Sequence, residues 1–153
     1  TRGEEQVNII AIDPGLSPGT KKKPHGTGVA VFDNGLLTHT YFIRGIDAPL
    51  KKRMELVVDT INDTTTDWHR YKFVIEKSFY PGMGNVSNLM FLGALEYVFG
   101  TCEYIAPLSV YKAITGKGKK QDLRPYLGQI GPKVTEDEVM AIAIGKAYLK
   151  KVK

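Results

Sequence analysis

The segment Val7-Asn8-Ile9-Ile10-Ala11-Ile12 is short, apolar and rich in β-branched residues, and Asp13-Pro14-Gly15 closes it. Apolar residues in succession rather than in alternation leave neither face of a strand for water. The segment therefore reads as a buried central strand that ends in a turn. The rest of the chain must supply the sheet around this strand and the layers that cover it.

Leu16 to His25 is rich in Gly, Pro and Lys and reads as a loop. Gly28–Asp33 and Leu36–Ile43 are strand-like and flank Asn34-Gly35, a strong hairpin signal, so the first three strands form an antiparallel meander. From Leu50 to about His69 the spacing of Met54, Val57, Val58 and Ile61 predicts a helix. Phe73–Glu76 follows as a fourth strand, entered from a helix and so parallel to the first. Pro81 to Asn85 is a Gly/Asn-rich loop. Val86–Phe99 is a mostly apolar helix whose Gly93 and Ala94 predict a close packing partner. Glu103–Ala106 is a fifth strand stopped by Pro107, and Ser109–Thr115 a short helix that leads into the basic loop Gly116–Lys120. Leu123–Ile130 is weakly helical, and a last helix runs from Thr135 to about Lys150. The expected fold class is α/β: a five-stranded mixed sheet, three antiparallel strands plus two parallel, flanked by helices in one domain over residues 1–153.

Composition narrows the function classes. Hydrophobic residues at 42% and charged residues at 24% exclude disorder, collagen-like and coiled-coil architectures. The single cysteine, Cys102, can make neither an internal disulfide nor a cysteine-rich zinc site, which points to a reducing, cytoplasmic setting. No apolar run approaches the ~18 residues of a membrane span, and the first residues lack the apolar core of a signal peptide, so a soluble protein is expected. Lys and Arg number 21 against 16 Asp and Glu, a net charge of +5, and the sequence pI is near 9.2. The basic residues cluster at Lys21-Lys22-Lys23, at Lys51 to Arg53, at Lys117, Lys119 and Lys120, and toward the C-terminal end. That pattern suits a polyanion, and nucleic acid first of all.

Against this basic background, acids stand at telling positions. Asp13 and Glu76 end the first and fourth strands, and ligands of open sheets with helical crossovers bind beyond such strand ends. A third acidic group, Glu136-Asp137-Glu138, opens the last helix, where Thr135-x-x-Glu138 also forms a capping box. Three acidic sites that converge repel one another unless cations bind them. Hard oxygen ligands without paired Cys or His suit Mg²⁺, with Mn²⁺ as substitute. Two such ions can promote phosphodiester hydrolysis, a chemistry that fits basic loops around an acidic centre.

These residues resemble the RuvC family of Holliday junction resolvases in the RNase H-like superfamily, and its phage-encoded members in particular. Asp13-Pro14-Gly15 with Gly26-Thr27-Gly28-Val29 is similar to the family's first motif, and Val74-Ile75-Glu76-Lys77-Ser78-Phe79 to its second. Thr115-Gly116-Lys117-Gly118 looks like its basic loop, and Glu138 to Ile144 like its last helix. The resemblance implies an RNase H-like fold and a crossover junction endodeoxyribonuclease, acting in the host cytoplasm if phage-encoded. It makes Asp13, Glu76 and Glu138 or Asp137 the catalytic ligands of two Mg²⁺ ions. It also implies paired symmetric nicks that leave 5′-phosphate ends. Lys112, Lys117, Lys119 and Lys120 would hold phosphates of branched DNA, as would Lys21, Lys22 and Lys23 in a loop longer than the family's. Phe79 and Tyr80 would stack on unpaired bases. A homodimer is expected through the helix around 86–99, with Leu89, Phe91, Leu92 and Tyr97 as contacts.

Two departures bear on function. Thr135 stands where the family's last helix offers a second acid, so Glu138 would act with Asp137 or Glu136, or one ligand is lost. The lysine expected before the basic loop falls at Tyr111, with Lys112 one residue on. Competing readings are a broader nuclease of forks and flaps, a non-catalytic junction-binding relative, and an actin-like ATPase half.

Overall fold

A computed structural model describes residues 7–77 and 86–152. Its centre is a five-stranded sheet in the order β3-β2-β1-β4-β5, formed by β1 (Ile9–Asp13), β2 (Gly26–Asp33), β3 (Leu36–Arg44), β4 (Lys72–Glu76) and β5 (Glu103–Ile105). β1, β2 and β3 pair antiparallel, whereas β4 runs parallel to β1 and β5 parallel to β4. This is the mixed sheet expected from the sequence, with β1 in the middle. Ile9 to Ile12 have no exposed surface, as an unbroken apolar run requires. At the β2–β3 hairpin Asn34 and Gly35 both take positive φ, 54° and 79°, the backbone of a tight two-residue turn.

Alternation along the strands splits the core into two layers. Ile10, Ile12, Val29, Val31, Phe73 and Ile75 face α1 (Leu50–Thr64) and α2 (Val86–Phe99). Ile9, Ala11, Ala30, Phe32 and Val74 face α3 (Pro107–Thr115) and α4 (Glu136–Lys151). α4 lies unusually close to the sheet because its inner face is small: Ala141, Ala143 and Ala147 are buried there. A Cβ on Gly145 would come within 2.1 Å of the Phe32 ring.

Three expectations about elements need correction. The first helix stops at Thr64 rather than near His69, and a separate 3-10 turn covers Trp68–Arg70. Its last turn meets the β-branched run Thr64-Thr65-Thr66, which disfavours further winding. α3 starts at Pro107, two residues early, because a proline in the first turn lacks an N–H that would have had no partner there. Between Leu123 and Ile130 only the 3-10 turn Arg124–Tyr126 forms; Pro125 and Gly128, with φ 81°, leave no room for an α-helix. Among the described residues no helix is long and apolar enough to cross a membrane.

Candidate active site

Asp13 closes β1 and Glu76 closes β4, and the parallel register Ile12↔Ile75 sets the two ends side by side. Both belong to the alternating set that faces α3 and α4, since Ala11 and Val74 do. Asp13 therefore has the first turn of α4 above it, and one contact decides what that turn presents. Opposite Asp13 in the antiparallel register lies Gly28. A Cβ there would stand 2.0 Å from the Asp137 carbonyl oxygen and 2.7 Å from the Glu138 nitrogen. Only the missing side chain of Gly28 lets α4 drop onto the sheet at the point where Asp13 emerges.

The consequence is a carboxyl pair. Asp13 and Asp137 meet side chain to side chain through a hydrogen bond. The Asp13 carboxyl is held well above the usual carboxylate range, first by burial, then by the charges of Glu76 and Asp137. Burial likewise raises Glu76, whose Oε2 is buried without a hydrogen-bond partner. Burial raises Asp137 too, although the bond from Asp13, the charge of His25 and the Gly26 backbone pull it back down. The ion pairs among the described residues, Lys51 and Lys52 with Glu55, Asp67–Arg70, Lys72–Glu103 and Arg124–Glu136, leave these three acids out. Two like charges about 4 Å apart repel by roughly 4 kcal/mol at an effective dielectric of 20, so such acids stay partly protonated until a cation arrives.

Glu138 is not brought to this cluster. It is buried at 8% exposure, with Oε1 accepting from the Thr135 N–H (3.2 Å) and hydroxyl (3.1 Å), and Oε2 accepting from the Thr40 hydroxyl on β3. Thr135 Oγ1 in turn accepts from the Glu138 N–H at 3.2 Å. Glu138 is thus held by its capping box and by β3, while Asp137, one residue earlier and about 100° around the helix, turns to β1. Glu136 is exposed and pairs with Arg124 at 3.0 Å. Of the three neighbouring acids, Asp137 is the one the fold delivers to Asp13.

The loop after Asp13 is pinned by Thr27, which is fully buried; its hydroxyl donates to the Gly15 carbonyl at 2.8 Å and accepts from the Gly15 N–H at 3.2 Å. Further out the same loop makes a tight turn, with the Thr20 N–H donating to the Lys23 carbonyl at 2.9 Å and Gly19 bridged to Pro24. Lys21, Lys22 and Lys23 are exposed on this ordered tip. Lys112, Lys117, Lys119 and Lys120 are exposed as well, and Lys120 shares a cleft of about 250 Å³ with Asp13, Asp137 and Tyr111. Phe79 and Tyr80 lie outside the described residues.

Sequence reasoning did not place Tyr111, His25 or Arg53 at the site, although it named Tyr111 as the position of an expected lysine and Arg53 as part of a basic cluster. Tyr111 is buried, and its hydroxyl is raised by burial and then by the charges of Glu76 and Asp13, so a neutral phenol stands beside the acids where a lysine was expected. The misplaced lysine was itself the signal. His25 and Arg53 share a second cleft with Asp137, a placement that neither a loop histidine nor one member of a basic run reveals in sequence.

Among the described residues no three His, Cys, Asp or Glu side chains are gathered tightly enough to form a ready-made metal site. The donor set nevertheless fits a hard divalent cation. It consists of carboxylates alone, one carboxyl oxygen is buried and unpartnered, and burial with like charge disfavours ionisation of these acids in the absence of a cation.

No family model and no curated protein matches the sequence. Solved structures do match. The Thermus thermophilus RuvC structure superposes with a TM-score of 0.70 at 16% identity, covering 95% of each chain. The T. thermophilus RuvC in complex with a Holliday junction substrate gives 0.68 at 17% identity, covering 95% of this chain and 94% of that one. The fold is that of RuvC. In this chain the ends of the first and fourth strands and the start of the last helix lie together, and Asp13, Glu76 and Asp137 hold those positions.

Proposed function

We propose that this chain is a metal-dependent endodeoxyribonuclease that resolves four-way DNA junctions by paired, symmetric nicks. One observation carries the reading. Three carboxyls that enter none of the ion pairs among the described residues are brought to one end of a RuvC-type sheet, on a chain whose net charge is +5. Asp13, Glu76 and Asp137 would hold Mg²⁺, with Mn²⁺ as substitute. The chemistry such ions supply is a lowered pKa for water and neutralisation of charge at the leaving oxygen.

The chain's own groups do the rest. Lys120 places a positive charge in the cleft that contains Asp13 and draws a backbone phosphate toward it. Tyr111, kept neutral by burial and then by the charges of Glu76 and Asp13, offers a hydroxyl donor to a phosphate oxygen without competing for their charge. Lys112, Lys117, Lys119 and the Lys21–Lys23 tip supply further phosphate contacts, which set affinity and register rather than sequence preference. Phe79 and Tyr80 stack on bases unpaired at the branch point.

Paired nicks need two sites in two-fold relation, and α2 offers the contact. Phe91 and Leu92, expected in the interface, are buried in the chain's own core. The exposed stripe is instead Val86, Leu89, Met90, Gly93 and Tyr97, with Tyr97 91% exposed. Nothing among the described residues lies within 4 Å of a Cβ on Gly93, so the close partner its position predicted is not found among them. A second copy is the proposed partner.

Glu76→Gln tests the chemistry. Nicking of a four-way junction should be abolished, while binding stays within about threefold because phosphate contacts carry the affinity. A variant that cuts at the normal rate would remove Glu76 from the site.

A further inference from the structure

Arg53, at the end of the first turn of α1, has an Nε that is buried and has no hydrogen-bond partner. The nearby acid Glu55 is taken by Lys51 and Lys52, and none of the ion pairs among the described residues includes Arg53. A buried guanidinium N–H without an acceptor is costly, so the Nε of this half-buried arginine, at the wall of an open cleft, calls for an anion that the cleft admits. The cleft it lines has a volume of about 440 Å³ and also holds His25, Ser87, Asn88 and Asp137. Ser87 and Asn88 belong to the first turn of α2, the end of a helix that carries partial positive charge. Asp137 is the single acid on the wall of this cleft, and it also lines the cleft of Asp13, Tyr111 and Lys120. Two clefts with cationic walls therefore meet at the carboxyl pair.

We propose that the Arg53 cleft binds a phosphodiester of the strand being cut, a neighbour of the scissile phosphate, so that the strand crosses the acids from Lys120 to Arg53. This rests on the nuclease reading and names a part of its substrate site. A guanidinium presents two parallel N–H groups to two phosphate oxygens, and the Ser87 hydroxyl, the Asn88 side chain and the imidazole of His25 surround the same space.

The test is junction binding in EDTA, monitored by fluorescence anisotropy of a labelled four-way junction across a salt series. Arg53→Gln should weaken binding about tenfold and reduce the slope of log K against log salt by about 0.9, the share of one phosphate, whereas Arg53→Lys should keep the slope of the parent. A slope unchanged in Arg53→Gln overturns the proposal. Ser87→Asp covers the case in which Arg53→Gln does not fold. An acid there favours the helix N-terminus, so the melting temperature should hold or rise, while binding should fall at least as far. Ser87→Asp that binds like the parent also overturns the proposal. Failure of the underlying reading looks different: the parent protein would not bind the junction, or Asp13→Asn would still cut it.

Discussion

Burial desolvates Asp13 beside Glu76 and Asp137, and that arrangement sets how the metal-free protein responds to pH. Asp13, Glu76 and Asp137 are all raised above the ordinary carboxylate range in the folded chain. The fold thus keeps protons that the unfolded chain has released. The stability this contributes is complete below the unfolded carboxylate pKa of about 4 and is lost as pH rises through the raised range. Asp13→Asn removes the most strongly raised of the three. In EDTA near pH 7.5 the variant should melt a few degrees higher than the parent, and the gain should vanish near pH 4. Thermal unfolding at the two pH values decides it; a variant less stable than the parent at neutral pH would mean that Asp13 is not strained by its neighbours.

Among the elements, the approach of α4 to β2 carries the site, and Gly28 governs that approach. Gly28→Ala forces a Cβ against the backbone of Asp137 and Glu138, where no flexible side chain can give way. Overpacking of this kind costs about 1–3 kcal/mol, and the first turn of α4 should lift away from Asp13. Nicking should fall by more than the loss of folded protein explains, which activity per folded fraction, measured beside a melting curve, would show. Equal losses would leave Gly28 a packing residue only. The strand ends were legible in the sequence because a carboxylate that terminates a buried apolar run is costly to folding and so marks a place where a ligand is met. The choice between Asp137 and Glu138 was not, since both follow Thr135 in one turn and only Gly28 and Thr40, distant in sequence, tell which way each side chain is drawn. The basic tip at Lys21–Lys23 was visible as composition but not as an ordered turn. Arg53 was visible only as one member of a basic cluster, because its meaning lies in an Nε that lacks a partner in space.

At the scale of the whole molecule, most of the fold could be read ahead of the structure. The order of strands follows from one hairpin signal and one helical crossover, and the two core layers follow from alternation along β1 and β4. The apolar excess of α2 was also readable, though not its division into an inner face with Phe91, Leu92, Leu95 and Phe99 and an outer stripe ending at Tyr97. That outer stripe, the basic surface and the carboxyl cluster are the features on which the proposal of a two-fold nuclease for branched DNA rests. The most direct measurement is incubation of the protein with a labelled four-way junction and with a matched linear duplex, each in Mg²⁺ and in EDTA, with the cut strands resolved on a sequencing gel. Nicks at symmetric positions in two opposing strands of the junction, absent from the duplex and abolished by EDTA, are the predicted result. Cutting that is equal in both substrates, unpaired, or indifferent to EDTA would contradict the account.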